Sequence, residues 1–276
     1  MPRLDLLIAH NLGYSRGIVT RLCRQGRVGT PGGPSLRDPG LQIAPASLPL
    51  VVDIDDVLHT LYLRYHLLQH KPVGVVTALR DDRHRTAYDL LKGAPLYKDL
   101  RAAGRLDLET SGLLLWTTEG PLLHRMTHPR YAVPRVYQAA LRGAWQTPPP
   151  GFALEDGHVP EITELTPLAR EQAHPGLDVP TGTTTLASIT IVGGKFHEVR
   201  RIFAGLGSEV LGLCRVAYGP LVLPTTLAAG QYQELDLHSV FAGMHPRPRG
   251  AGDADEADEA DEADEDLEGT REGADA

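Results

Sequence analysis

Few side chains in this 276-residue sequence have the types and spacing that catalysis requires. The segment GRLDLETSGLLL sets a carboxylate, Asp107, after an Arg-Leu pair and just ahead of an apolar run. Gly104 and Arg105 before it, and Thr110-Ser111-Gly112 after it, read as a tight loop entering a buried strand. Loops at strand ends commonly display single catalytic side chains. An ionised carboxylate held there can serve as a nucleophile or a base; the same acid can instead do no more than hydrogen-bond its own turn. Other candidates fail. His124 and His128 have the spacing of two zinc ligands, but HRMTH lacks the Glu after the first His and no third ligand follows at suitable spacing. GTPGGP lacks the Gly-Lys-Ser/Thr ending of a phosphate loop, and no Gly-x-Ser-x-Gly elbow is present. Cys23 and Cys214 stand alone, which argues against a disulfide framework or a cysteine zinc site.

The elements that must hold such a loop can be read from composition and periodicity. A hydrophobic content of 42% suits a globular body with a core. The start, MPRLDLLIAHNLG, carries Arg3 and Asp5 and no long apolar region, and no run approaches the ~20 residues of a membrane-spanning helix, so a soluble cytoplasmic protein is expected. Residues 253–276 hold thirteen acids and one base; removing that segment's −12 from the overall −8 leaves +4 for residues 1–252. A mildly basic body suits a polyanionic partner, and the D-E-A repeat predicts a disordered acidic tail over residues 246–276.

Residues 1–60 read as a small module plus linker. Leu4, Leu7, Ile8 and then Ile18, Val19, Leu22 recur at helical spacing, with Ser15 as a cap of the second helix. Arg16, Arg21, Arg24 and Arg27 lie largely off that stripe, facing solvent or a phosphate backbone. Residues 61–245 form a larger domain. YLRYHLL, GVVTAL, GLLLWTT, RVYQAALRG, TTTLASITIV and LGLCRVAYG read as strands, and RTAYDLLKG, GPLLHRMTH and KFHEVRRIFAGLG as helices. Strands outnumber helices and are joined by turns, which predicts an α+β fold with a mixed, mainly antiparallel sheet. In the last helix Val199, Ile202, Phe203 and Leu206 form an apolar stripe that leaves Arg200 and Arg201 pointing elsewhere.

Two resemblances sharpen this reading. RLD, then SR, then a basic helix ending in QGRV resembles the small RNA-binding module shared by a small-subunit ribosomal protein and many RNA-modifying enzymes, with GTPGG replacing the usual residues after GRV. GRLDLETSGLLLWTTEG resembles the signature loop of the ribosomal pseudouridine synthases of the small-subunit type and their large-subunit relatives. HKPVGVVTALRDD, THPRYAVPRVYQAAL and GGKFHEVRRIFAGLGSEVLGLCRVAYGPLVL resemble the same family's Lys-Pro-x-Gly, His-Pro…Lys-x-Tyr and Gly-x-x-His-Gln-Val-Arg-Arg segments in order. Three positions depart from its pattern: Glu198 for Gln, Arg135 for Lys and His70 for Asn.

The resemblance implies an isomerase that breaks the bond from uracil to ribose, turns the base and rejoins it through carbon, with no metal and no cofactor. It implies Asp107 as the group that attacks the sugar or removes its proton, and Arg200 as the guanidinium that keeps this acid ionised, since a close arginine lowers a carboxyl pKa by roughly 1–3 units. Tyr137 is implied to stack on the target base and assist proton removal. Arg105, Lys71 and Arg201 are implied RNA contacts beside Arg16, Arg21, Arg24 and Arg27. Leu213 either packs under the pocket or is plain core. The expected partner is ribosomal RNA or a ribosomal assembly intermediate, bound by a monomer without membrane or nucleotide cofactor. A uridine of small-subunit ribosomal RNA is the expected target, with a large-subunit uridine or a non-catalytic assembly factor as the alternatives; a hydrolase using Asp107 with Glu109 lacks any supporting family feature.

Overall fold

The computed structural model describes residues 1–247, and the acidic segment 253–276 lies outside them. The first unit is built on α1 (Leu4–Leu12) and α2 (Arg16–Arg24). Gly13 ends α1 in a left-handed turn, φ 71°, and the Ser15 hydroxyl accepts from the Ile18 amide at 3.4 Å, as the sequence predicts for a cap. Their apolar stripes close over a three-stranded antiparallel sheet of β1 (Val28–Gly29), β2 (Leu50–Ile54) and β3 (Val57–Leu61), enclosing Leu4, Ile8, Val19, Val52 and Leu61. Asp5 is buried here. Desolvation alone would push its carboxyl up, but hydrogen bonds from Arg3 and Arg16 prevail and hold it below the usual range. The Gly/Pro-rich stretch expected to be a linker is a loop inside this unit, between β1 and β2. The connection to the second sheet is residues 62–65, where Asn11 exchanges two hydrogen bonds with the Tyr62 backbone at 2.8 and 2.9 Å.

The second unit is a nine-stranded sheet. Its strands are β4 (His66–Lys71), β5 (Arg101–Ala103), β6 (Thr110–Thr117), β7 (Pro134–Arg142), β8 (Glu161–Pro167), β9 (Thr185–Val192), β10 (Glu209–Tyr218), β11 (Leu221–Val222) and β12 (Tyr232–Glu234). The main order is β12-β4-β6-β10-β7-β9-β8, with β5 on β6 and β11 on β10. Every pairing is antiparallel except β6 with β10, where Leu213, Cys214 and Arg215 lie opposite Thr110, Ser111 and Gly112. The mixed, mainly antiparallel α+β architecture is the one the sequence predicts.

The apolar run of β6 is buried on both faces, and its alternation sends Leu114 and Trp116 to one core and Leu113 and Leu115 to the other. The first core is closed by α4 (Glu198–Gly205) through Val199, Ile202 and Phe203; the second by α3 (Gly120–Thr127) and α5 (Leu237–Phe241) through Leu122, Met126, Leu237 and Phe241. Strand β4 is polar in sequence yet wholly buried. Its Gln69 takes the Trp116 indole N–H at 2.9 Å and donates to the Ala87 carbonyl at 3.0 Å, so both ends of this buried amide are satisfied.

Two expectations fail for identifiable reasons. GVVTAL makes only a bridge from Val76 to Thr86, because the Thr77 hydroxyl takes the place of ladder bonds by pairing with both the N–H and C=O of Leu106. RTAYDLLKG is limited to a 3₁₀ turn at Asp89–Leu91, cut off by Gly93 at φ 96°. Arg247, within the stretch expected as tail, pairs both guanidinium nitrogens with Glu161 of β8 at 2.8 and 2.9 Å, and residues 248–276 lie outside the described residues. No helix among the described residues is long and apolar enough to cross a membrane.

The parallel pair depends on Gly112. It sits at φ 117°, and a Cβ there would overlap the Arg215 carbonyl oxygen and lie 2.6 Å from its nitrogen. Gly112→Ala should therefore destabilise the protein by roughly 2–5 kcal/mol, combining backbone strain with a clash against backbone that cannot yield. Urea unfolding monitored by circular dichroism checks this.

Candidate active site

Asp107 lies in the turn that enters β6, with the Thr110 amide bonded to its carbonyl at 3.0 Å. This turn is clamped from below. Lys71, at the end of β4 opposite Gly112, is fully buried, and its ammonium donates to the carbonyls of Pro72, Asp107 and Thr110 at 3.0, 3.0 and 2.8 Å. Lys71 is therefore a support of the loop, which corrects its expected role as an RNA contact. Burial lowers its pKa to about 8; the nearby Asp107 opposes that shift and the buried Arg215 adds to it.

Arg215 stands on the other side of Gly112 in β10, 1% exposed, with Nε donating to the Leu113 carbonyl at 2.8 Å and its guanidinium over the Tyr218 ring at 5.1 Å. Two buried cations thus flank the strand that begins at the Asp107 turn. Arg215 carried no role in the sequence reading, and its burial in an apolar-looking strand gave no signal of one.

A second clamp comes from α4. Arg200 donates to the Glu109 carbonyl at 3.1 Å and to the Val210 carbonyl at 3.2 Å, with the Glu109 carboxylate 3.7 Å away. The expected Arg200–Asp107 pair is not formed. A guanidinium with several donors in a fixed fork is satisfied here by carbonyls of the loop and of β10. The side chain that reaches the Asp107 carboxylate is His197, whose Nε2 lies 3.6 Å from Oδ1 with the two side chains 41% and 34% exposed. The motif GKFHEVRR contains His197, but sequence spacing did not show that the loop and the start of α4 would meet through it.

Tyr137 of β7 packs in the same core as Leu106 and Leu213 and lies opposite Arg215 in register. It is 7% exposed, and its hydroxyl has no hydrogen-bond partner among the described residues. Leu213, opposite Thr110 in β10, is 4% exposed core under the turn. Arg105 is exposed beside the turn without a protein partner, whereas Arg201 is held by Asp156 at 2.8 Å. In the first unit Arg16 is committed to Asp5 and Arg27 to Asp55, while the Arg21 and Arg24 guanidinium groups are exposed and unpaired.

The departures from the family pattern are absorbed locally. Glu198 turns inward to His158 at 2.9 Å and the Lys195 amide at 3.1 Å, His70 bonds the Leu227 carbonyl at 2.7 Å, and Arg135 lies over the Tyr218 ring. His128 ends α3 and caps the following turn by accepting from the Arg130 amide at 3.1 Å.

A partly accessible carboxylate at the entry to a central strand, set in a loop clamped by cations and beside the unpaired Arg105, is the arrangement that attack on an electrophilic carbon of a polyanion requires. Residues 65–205 match the RNA pseudouridylate synthase family, and the chain belongs to it. It is 31% identical over 86% of its length to ribosomal small subunit pseudouridine synthase A of Yersinia pestis, covering 96% of that protein. Against the protein of the same name from Escherichia coli the identity is 33%, with 84% and 96% covered. Among solved structures, a pseudouridylate synthase aligns with a TM-score of 0.50 and 27% identity over 87% of this chain and 98% of its own.

Lys71 yields a prediction with two opposite signs. Its ordinary pKa is 10.5, so between pH 8 and 10.5 the unfolded chain holds a proton that the folded protein has released, and this group makes stability rise with pH. The neutral amine has two hydrogens for three carbonyls, so the loop loses a bond as pH rises through about 8. Isomerisation should fall through that pH while this group costs no melting temperature. Lys71→Met should lower the rate on the order of 10²-fold by loosening the loop and should remove that limb of the profile. Rate and melting profiles from pH 6.5 to 9.5 check both.

Proposed function

We propose that this protein isomerises a uridine of small-subunit ribosomal RNA to pseudouridine. The observation that carries the reading is the position of Asp107: accessible, at the open end of the β6–β10 pair, on a loop pinned by Lys71 and Arg200. The names of the two bacterial relatives support the small-subunit target.

In this reading Asp107 acts at the ribose, either attacking the anomeric carbon or taking the neighbouring sugar proton. The base-to-sugar bond breaks, the freed uracil turns, and its C5 bonds to the anomeric carbon, releasing Asp107 where it had attacked there. C5 then loses its proton and N1, freed from the sugar, gains one, so atoms and electrons balance without an oxidant or a metal. Tyr137 supplies a ring face for the base and a free hydroxyl for the departing proton. Lys71 and Arg200 position the loop and touch no substrate.

The uridine must first leave its stack, at a few kcal/mol. A base–aromatic stack returns roughly 1–3 kcal/mol, and phosphate contacts supply the rest. Of the arginines expected to meet RNA, Arg21, Arg24 and Arg105 are free for those contacts, and Arg16 and Arg27 are already paired.

Asp107→Ala should abolish release of tritium from RNA labelled at uracil C5 while leaving RNA affinity within about twofold, as expected for a group used in the transition state and not in binding. Retained release would remove Asp107 from the chemistry. Replacing Arg21 and Arg24 by Ala should weaken binding and lower the slope of log affinity against log salt by about 1.4, the value for two single-strand phosphate contacts. Carbodiimide mapping of both ribosomal RNAs from cells lacking the gene assigns the target; loss of a modification only in large-subunit RNA would overturn the small-subunit reading.

A further inference from the structure

The turn that precedes α4 presents an aromatic surface that the catalytic machinery does not use. Phe196 is 77% exposed, an unusual state for a large apolar side chain beside an active site. Its ring stacks on the His197 imidazole with centroids 3.9 Å apart and planes 14° from parallel. His197 in turn reaches the Asp107 carboxylate at 3.6 Å. The outer face of Phe196 is therefore one stacked ring removed from the imidazole that touches the reacting carboxylate.

The backbone holds this arrangement at a cost. His197 has φ 51° and ψ 27°, a left-handed conformation that non-glycine residues seldom adopt. Such a conformation persists where surrounding structure fixes it, and here Glu198 does so by accepting from the Lys195 amide at 3.1 Å while paired with His158. Lys195 is exposed and its ammonium has no protein partner; Arg105, on the Asp107 loop, is likewise exposed and unpaired. An exposed aromatic face with unpaired cations on its own turn and on the loop it meets suits single-stranded nucleic acid, because bases stack on the ring and phosphates lie against the charges.

We infer that Phe196 is a stacking platform for the nucleobase next to the target uridine, with Lys195 and Arg105 taking the phosphates on either side. The inference rests on the reading of this site as an RNA isomerase and adds the neighbouring nucleotide as a part of the substrate that the protein grips. The target uracil itself is assigned to the interior, beside Tyr137 and Leu213, so the two aromatic residues serve successive bases. The contact is made through a π-face, which every base has, so it anchors the strand without reading its sequence.

The test uses the full-length protein and in vitro transcripts of both ribosomal RNAs carrying tritium at uracil C5. On whichever transcript the wild type reacts with, Phe196→Ala should raise KM by about tenfold, the lower part of the range for one lost base stack, with kcat changed by less than about threefold. Phe196→Trp should keep KM near wild type, and its introduced indole should be quenched on adding RNA, a signal that a structural role would not produce. With a short synthetic RNA spanning the mapped site, removing the base next to the target should cost the wild type what Phe196→Ala costs, and should cost that variant little more. Wild-type kinetics in Phe196→Ala, an unquenched indole, or additive losses would each overturn the platform. A kcat loss with unchanged KM, additive with loss of the neighbouring base, would place the ring against the target uracil and likewise overturn it. Reaction on the large-subunit transcript alone would overturn only the choice of ribosomal RNA.

Discussion

Two buried cations facing each other across one glycine govern the rest of this structure. Lys71 in β4 and Arg215 in β10 both lie opposite Gly112 of β6, and both are sealed from solvent. Unpaired charges in such a place are strongly unfavourable unless dipoles or an anion answer them. Here the answer is mostly backbone: Lys71 takes two carbonyls of the Asp107 turn and that of its neighbour Pro72, and Arg215 takes the Leu113 carbonyl and the face of Tyr218. The turn is thus bent around a charge. That arrangement accounts for a carboxylate held at the edge of two buried cores without a conventional partner, and for a glycine at the one place where strands β6 and β10 run parallel.

The same constraint separates what could be read in the sequence from what could not. The Asp107 loop was legible because its signature is local: Gly, Arg, an acid and a strand follow one another within a few residues. The apolar stripe of α4 was legible for the same reason, as was the cap at Ser15. Partnerships across the sheet were not. Arg200 was placed beside Asp107 by motif, and it does reach the loop, but its guanidinium bonds the Glu109 carbonyl, an acceptor that side-chain patterns do not reveal. Lys71 looked like a surface cation because lysine is seldom buried; its burial follows from the position of β4 between β12 and β6, which is a property of topology. Among the strands the sequence did not show, β8 and β12 lie at the sheet's edges and are too exposed for a clear alternation.

Charge in the first unit shows a similar division. A basic helix reads uniformly as a row of arginines, yet the fold spends them differently. Arg16 helps neutralise the buried Asp5, and Arg27 closes the module against Asp55. Only Arg21 and Arg24 of the four are left to meet a phosphate. A net charge, or a count of basic residues, overstates an RNA-binding face wherever internal carboxylates have already claimed part of it.

Exposure through the site rises in an order that follows function. Lys71 and Arg215 are closed to solvent, Arg200 is 17% exposed, Asp107 about a third, and Phe196 more than three quarters. Groups at the closed end keep their geometry because their hydrogen bonds do not compete with water, and they can fix the loop before RNA arrives. Groups at the open end can meet a polyanion without first giving up protein partners, so binding is not penalised by broken internal bonds. Asp107 sits between the two: fixed through its backbone, with its carboxyl answered by the part-exposed His197. Moving the fixing interaction from the side chain to the main chain leaves the carboxylate without an arginine to give up, so in the proposed reaction it meets the ribose more readily than a direct Arg200–Asp107 ion pair would allow.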